Sequence, residues 1–425
     1  MSEQVAAGRG IFLGWKVVAT AFVVAVFAWG FGFYGPGVFL HSLHETRGWS
    51  ISVISAAITT QFVLSAGIIA YLSDIHHRFG VATTTRAGVV LLALGTAGWA
   101  FAGVPWQLFV ASLVTGAGWA MTSGAAINAM VTPWFERRRS AALSHALNGA
   151  SVGGVVMTPL WLALISCFGF PSAVALLGTL MLVLIWPLAG LYLRPSPADL
   201  GLLPDGMPVS RIAPSHAPSR TPRSPLSRTA LLRLPRFATM SGTFALALFA
   251  QVGLLAHLVS LLVPTLGESG AAAGVSLTTA CAIVGRLVFA AVPGDFDRRI
   301  ATAINLLLQV CGVVVLAAGG GPVLSLVGCA LFGFAVGNVI SLPPLIAQAE
   351  LDRADLLRAV ALVTAVNQAL FAFAPGVFGA MRDITGSYAA PLMLAATLDF
   401  AGAILILAGR PVSARRPATP PGIGS

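Results

Sequence analysis

The chain has 425 residues, of which 57% are hydrophobic and only 9% charged. A soluble domain carries about 25% charged residues, so so few charges exclude a water-soluble fold of this size. The formal net charge of +10 would suit a nucleic-acid partner in a soluble protein, but here the arginines fall in short loops between apolar runs, a pattern of membrane topology.

A bilayer core of about 30 Å takes roughly 20 apolar helical residues. Twelve runs meet that length, at about 16–40, 51–73, 84–103, 107–132, 140–166, 171–193, 237–263, 271–294, 301–318, 322–347, 358–381 and 388–409. They are continuous, unlike the ten-residue alternations of a barrel. The expected fold is an all-α polytopic membrane protein, with twelve transmembrane helices in two pseudo-symmetric six-helix bundles.

Residues 1–13 are too short and weakly apolar for a cleavable signal. The first span contains "AWGFGFYGPGVF", Ala28 to Phe39. Its glycines and Pro36 predict a bend. Trp29 and Phe33 are four apart and share a face, and Tyr34 adds a hydroxyl. They either wall a solute site or simply pack. The second span ends in "AYLSDIHHRFG", with Asp74 and Arg78. Asn128 lies in the fourth.

"PWFERRRSAALSHALNGASVGG", Pro133 to Gly154, gathers charge between two oily runs. Trp134 and Phe135 suit an interfacial belt. Arg137, Arg138 and Arg139 open a helix, where the dipole disfavours cations, so topology explains them better than helix stability. His145 and Asn148 share a face; they line a cavity or serve the interface and helix packing. Ala142, Ala146, Ala150 and Gly154 run at four-residue spacing with Gly149 and Gly153 beside them, a pattern that lets helices approach closely.

A Pro, Ser and Arg-rich stretch at 194–236 reads as a flexible linker, and "LSRTALLRLPRF" at its end as an interfacial segment. The expected organisation is a bundle at 1–193, the linker, a second bundle at 237–410 and a tail at 411–425. The seventh span holds Gln251 and His257, the latter a proton site or a packing residue. "GRLVFAAVPGDFDRR" ends the eighth span and repeats the acid-then-base loop pattern, with Asp295 and Arg298. Repeated halves joined by a linker suggest a rocking transporter with its site between them.

Arg286 stands about eight residues inside the eighth span, roughly 12 Å deep. A charge at depth costs at least ~2.5 kcal/mol on insertion scales. Its planar guanidinium suits bidentate carboxylate binding. The alternatives are snorkelling or a pair with the Asp295 loop. Asn338 follows in the tenth span, and Asn367 with Phe371, four apart, in the eleventh.

Of the 24 Lys and Arg residues, twenty-one lie on one set of loops, two on the other, and Arg286 remains inside a span. This asymmetry places both termini and the linker in the cytoplasm of a cell (inner) membrane. Cys167, Cys281, Cys311 and Cys329 show no metal-ligand spacing. No nucleotide-binding loop or catalytic constellation is present. The expectation is a transporter, not an enzyme, monomeric, without cofactor or metal, whose partners are a small solute, protons and lipid, not nucleic acid.

The architecture resembles the major facilitator superfamily. The Trp134-Phe135 pair, the Arg137–Arg139 cluster, Ala141-Ala142, Ala146, Gly149 and Gly153 resemble a motif of its monocarboxylate-transporter and oxalate/formate-antiporter-like group, with Ser144 and Ala150 as departures. "GWKVV", Gly14 to Val18, is similar to that group's opening motif. Asp74 and Arg78 resemble the superfamily's loop signature, with Ala70 in place of its first glycine. The resemblance implies gating roles for Asp74, Arg78, Arg137, Arg138, Arg139, Gly149, Gly153, Asp295 and Arg298. It implies helix eight as the partner of the small-residue ladder. It also implies that helices 1, 4, 7 and 10 and their neighbours line the cavity, which favours Asn128, Gln251, Asn338 and Asn367. Asn305, Gln309 and Asp399, on outer helices, read as structural.

The group's animal carriers place a lysine within the first span and an acid one turn before the helix-eight arginine. Here Lys16 lies at the span's end and Ala282 replaces the acid, so that branch's proton apparatus does not carry over. The expected function is transport of a small, monocarboxylate-like anion by alternating access, coupled to protons through His257 or His145. The alternative is proton-driven export of drugs or other hydrophobic solutes, although its helix-five Gly-Pro pair is missing. A transporter-like sensor would want a soluble domain that the linker and tails do not supply.

Overall fold

The computed structural model describes residues 12–206, 226–290 and 296–410. Asp295 lies outside the described residues. The first half contains α1 (Leu13–Gly32), α2 (Gly35–Arg47), α3 (Ile51–Ala70), α4 (Leu72–Phe79), α5 (Val81–Phe101), α6 (Pro105–Thr122), α7 (Gly124–Val131), α8 (Arg139–Phe168) and α9 (Phe170–Tyr192). The second contains α10 (Arg228–Arg233), α11 (Pro235–Ala290), α12 (Arg298–Ala318), α13 (Pro322–Val339), α14 (Leu342–Glu350), α15 (Arg353–Phe371), α16 (Ala374–Thr385) and α17 (Ala389–Ala408).

Among the described residues eleven helical segments are long and apolar enough to cross a bilayer. One of them, Pro235–Phe289, is 55 residues long, or about 80 Å at 1.5 Å per residue. That is two crossings. They meet at Gly267, whose φ of 69° and ψ of 175° break the helix in a backbone region that only glycine enters easily. The count is therefore twelve, as the apolar runs predict.

Four spans are interrupted. The bend expected from Pro36 falls at Phe33–Tyr34, between α1 and α2. Other breaks fall at Ser123, at Ile340–Ser341 ahead of Pro343, and at Ala372–Phe373 ahead of Pro375. A proline cannot donate to the preceding turn, so three of the four sit next to the residue that causes them. The groups freed at the first break are re-used. The Trp29 carbonyl accepts from both Phe33 N (3.1 Å) and Tyr34 N (2.8 Å). The Gly30 carbonyl takes Trp161 Nε1 at 3.0 Å, and the Gly32 carbonyl takes Gln61 Nε2 at 2.7 Å. Broken helices are tolerated in a membrane where protein satisfies the exposed backbone.

Several local expectations are corrected. Trp134 and Phe135 do not sit in an interfacial belt; they are 3% and 1% exposed. They pack edge-on against Phe12 and, for Phe135, Trp15. The small-residue ladder of α8 has two partners instead of one. Gly149 and Gly153 lie on the backbone of Phe22 and Val26 in α1, leaving no room for a Cβ, and only Gly154 faces Thr279 of the eighth span.

The linker's ends are built into the two halves. Asp205 accepts backbone N–H groups from Glu136 (3.2 Å), Arg137 (2.8 Å) and Arg138 (3.4 Å), just ahead of α8. It supplies the negative charge that the helix start lacked beside its arginines. Partial burial raises its carboxyl, but those three N–H groups and the Arg138 charge outweigh this and hold it below the usual carboxylate range. At the other end Leu226 N donates to Asp355 at 2.6 Å, and α10 buries Leu231 against the second half.

Candidate functional site

The halves touch mainly through α3 with α16 and α15, α2 with α11, and α8 with α11. Ser52 N donates to Asp383 Oδ2 (2.7 Å), and Gly376 N donates to Thr59 Oγ1 (3.0 Å). These contacts close the cleft on the side opposite the linker, here the far side. His257, fully buried, is part of that closure. Its Nε2 lies 3.0 Å from Pro375 O and 3.3 Å from Ser55 Oγ, and its Nδ1 lies 3.3 Å from Tyr388 Oη. The ring stacks on Phe378. The Tyr388 hydroxyl is a phenol and keeps its proton near neutral pH.

Arg286 lies deeper, where the eighth span crosses α8. Nη2 donates to Ser151 Oγ, and Nε is buried without a partner. Tyr34 lies within electrostatic reach of the guanidinium. Among the described residues no carboxylate comes within ion-pair distance of it. The arginine is held by close helix packing. Gly285, Gly333 and Gly337 bring the eighth and tenth spans so near that a Cβ at any of them would strike the other backbone, and the Arg286 stem runs over Gly337. A short serine takes one donor, and among the described residues Nε has no hydrogen-bond partner.

Beside this charge stands an aromatic wall. Trp29 meets Trp119 edge-on at 4.9 Å, Phe33 stacks on Trp119 at 6.1 Å, and Phe33 lies 5.2 Å from Tyr34. Phe33 also faces Phe62, which meets Phe371 of the second half at 6.0 Å. The wall therefore gathers around the first helix break and crosses the cleft. It joins a cation to an apolar surface, the chemistry of a small site with few polar groups.

The other candidates are more dispersed. Asn148 and His145 line a cavity of about 530 Å³ with Trp15, Val18, Ala19, Phe22 and Val23, nearer the linker side. Asn338 turns to the ninth span, where Nδ2 donates to Asn305 Oδ1 (2.9 Å) and Asn305 in turn donates to Ala335 O. Gln251 and Asn367 are buried, each with its side-chain oxygen unpartnered. Asn128 is exposed and accepts from Thr132. Asp74 and Arg78 are exposed on α4, as are Arg137 and Arg138, while Arg139 Nε donates to Phe135 O at 3.0 Å. Arg298 is half-buried in the first turn of α12.

Sequence reasoning missed Ser151, Trp119 and Phe62. Ser151 had a signal, standing three residues beyond Asn148 on the same helix face. The two aromatics had none, because only tertiary packing brings them to Phe33.

The family model described as Major Facilitator Superfamily matches residues 20–375. The chain belongs to that superfamily. Among curated relatives, monocarboxylate transporter 11 of Homo sapiens is 27% identical over 417 residues, covering 93% of this chain and 82% of that protein. Monocarboxylate transporter 13 of Bos taurus is 30% identical over 188 residues, 43% of this chain and 42% of that protein. Two solved structures of the nucleoside transporter NupG, one of them a mutant, superpose with TM-scores of 0.71 and 0.69. They are 13% and 12% identical and cover 93% and 94% of this chain and 99% of their own, which shows the shared fold. This superfamily member is thus a multi-pass membrane transporter of small solutes, not an enzyme, with relatives in the monocarboxylate-transporter group.

Proposed function

We propose that the protein moves a small organic anion of the monocarboxylate type by alternating access, coupled to protons. The observation that carries this reading is Arg286, half-buried between the halves with its Nε buried and unpartnered. A carboxylate bound there would complete the guanidinium's donors and neutralise its charge. The aromatic wall from Trp29 to Phe371 would take the solute's apolar body. The closed far side makes the described state one that opens toward the linker, on the cytoplasmic side in this reading. The protein would act as a monomer in the inner membrane with both termini cytoplasmic.

The test is uptake of labelled monocarboxylates into proteoliposomes, with and without a pH gradient. The expected result is saturable uptake that rises with the gradient and is lost in Arg286→Ala. Unchanged saturable uptake in that variant would remove the carboxylate clamp.

A further inference from the structure

We propose that His257 is a proton-binding site that exists only while the far side of the cleft is open, so that acid on that side holds the transporter open there. The proposal rests on the alternating-access reading but not on the identity of the solute.

In the closed state both imidazole nitrogens are committed. The Pro375 carbonyl can only accept, so Nε2 carries the hydrogen. The Tyr388 hydroxyl has kept its proton and donates to Nδ1. A neutral imidazole fits these partners fully. A second proton would have to go on Nδ1. It would turn the Tyr388 hydroxyl round and put a full charge on a ring that is 0% exposed, which is costly without an opposing charge in contact.

The surrounding groups do not supply that charge. From α3 the ring faces Ser55, and α3 carries no charged side chain. From α16 come Arg382 and Asp383. Asp383 already accepts Ser52 N and lies 3.9 Å from Arg382, while Arg382 sits over the Tyr388 ring. From α2, whose Gly37 rests on the Ala256 carbonyl, come His41 and Glu45, with Glu268 beside them. None of these carboxylates touches the imidazole, and Tyr388 is the titratable group that does.

Pro375, Phe378 and Tyr388 cover the ring from its own half, and the first half closes over its Nε2 edge. Ser55 shares Nε2 across the cleft, and Gly379 of α16 packs on Ser55 with no room for a Cβ. When α3 leaves α16, that cover goes and water reaches an imidazole of ordinary basicity, which titrates near neutrality. Proton binding to the open state alone must shift the equilibrium toward that state, by at most about tenfold per pH unit for one proton. The proton returns to the far side before closure. His257 therefore sets how much of the protein is open and does not carry the proton across.

The experiment measures far-side separation by double electron–electron resonance. Spin labels at Arg47→Cys and Ile384→Cys are placed in protein with its native cysteines replaced, reconstituted without solute. The expected result is a shift from the short to the long distance as pH falls from about 8 to 5, absent in His257→Gln, which keeps a donor and an acceptor but does not titrate. Should that variant not fold, His257→Asn serves the same purpose. A wild-type distance that ignores pH, or a pH response that survives the substitution, overturns the proposal. If solute opens the far side and acid does not, only the His257 site fails. If neither opens it, the alternating-access reading fails with it.

Discussion

Two arginines occupy contrasting places in the second half. Arg299, at the linker-side base of α12, is 1% exposed and has every donor satisfied. Nε and Nη2 grip Glu350 at 2.6 and 2.8 Å. Nη1 reaches Thr239 and the Ile406 carbonyl, and Nη2 also reaches the Arg236 carbonyl. One side chain thus ties together the starts and ends of four spans. Arg286, in the cleft, has one serine and an idle Nε. The guanidinium is the same in both; the difference is whether the chain completes it. A completed arginine is a fastener; an incomplete, half-buried one is what the proposed anion site needs.

The largest expected effect comes from breaking the completed one. Arg299→Ala leaves Glu350 half-sheltered without its partner and should destabilise the protein by about 3–5 kcal/mol, read as a fall in thermal unfolding temperature in detergent. Arg299→Lys, which keeps charge but not the fork, should recover only part. An Arg299→Ala protein as stable as the parent would end the contrast.

Arg286→Ala should do the opposite, with transport lost and stability kept. Losing a hydrogen-bonded charge contact of about 1.5–3 kcal/mol means uptake falling roughly ten- to a hundredfold. An equal fall in unfolding temperature for both variants would show that Arg286 too is a fastener. Ser151→Ala sharpens the same point, because it frees a second donor without removing the cation. It should change the apparent solute affinity by about fivefold, corresponding to ~1 kcal/mol, in kinetics of purified protein; no change would mean the serine does not orient the guanidinium.

The smallest effect is at Asp205, which holds the turn ahead of α8. Asp205→Asn should cost about 1 kcal/mol, the usual net worth of a hydrogen bond, because its carboxylate holds the 136–138 turn ahead of α8. The carboxyl is held below its usual range in the folded state. Its contribution is therefore present above the unfolded value of about 4 and fades as pH falls through the lower folded one. Unfolding followed across acid pH should show the parent losing this increment while the asparagine variant does not. Parallel curves would exclude this contribution.

The twelve crossings and their division into halves were legible because each needs a long apolar run and the arginines mark one set of loops. The break at Phe33–Tyr34 was legible through Pro36, and Arg286 through its cost. What was not legible depends on partners distant in sequence. Asn338 pairs with Asn305 because two helices happen to face at that level. Trp134 and Phe135 look like belt residues until Phe12 and residues 204–206 pack around them. The break at Ser123 has no proline or glycine pair ahead of it to announce it.

The joint between the halves has a mechanical consequence. Among the described residues the side-chain hydrogen bonds that cross it use serine or threonine hydroxyls, the His257 ring, one backbone N–H on Asp383, and Arg286 on Ser151. None pairs two opposite charges. Water can replace each of these bonds as it breaks, so the proposed separation of the halves would pull no ions apart. Such a hinge should respond little to ionic strength, leaving its setting to the solute and to the proton proposed for His257.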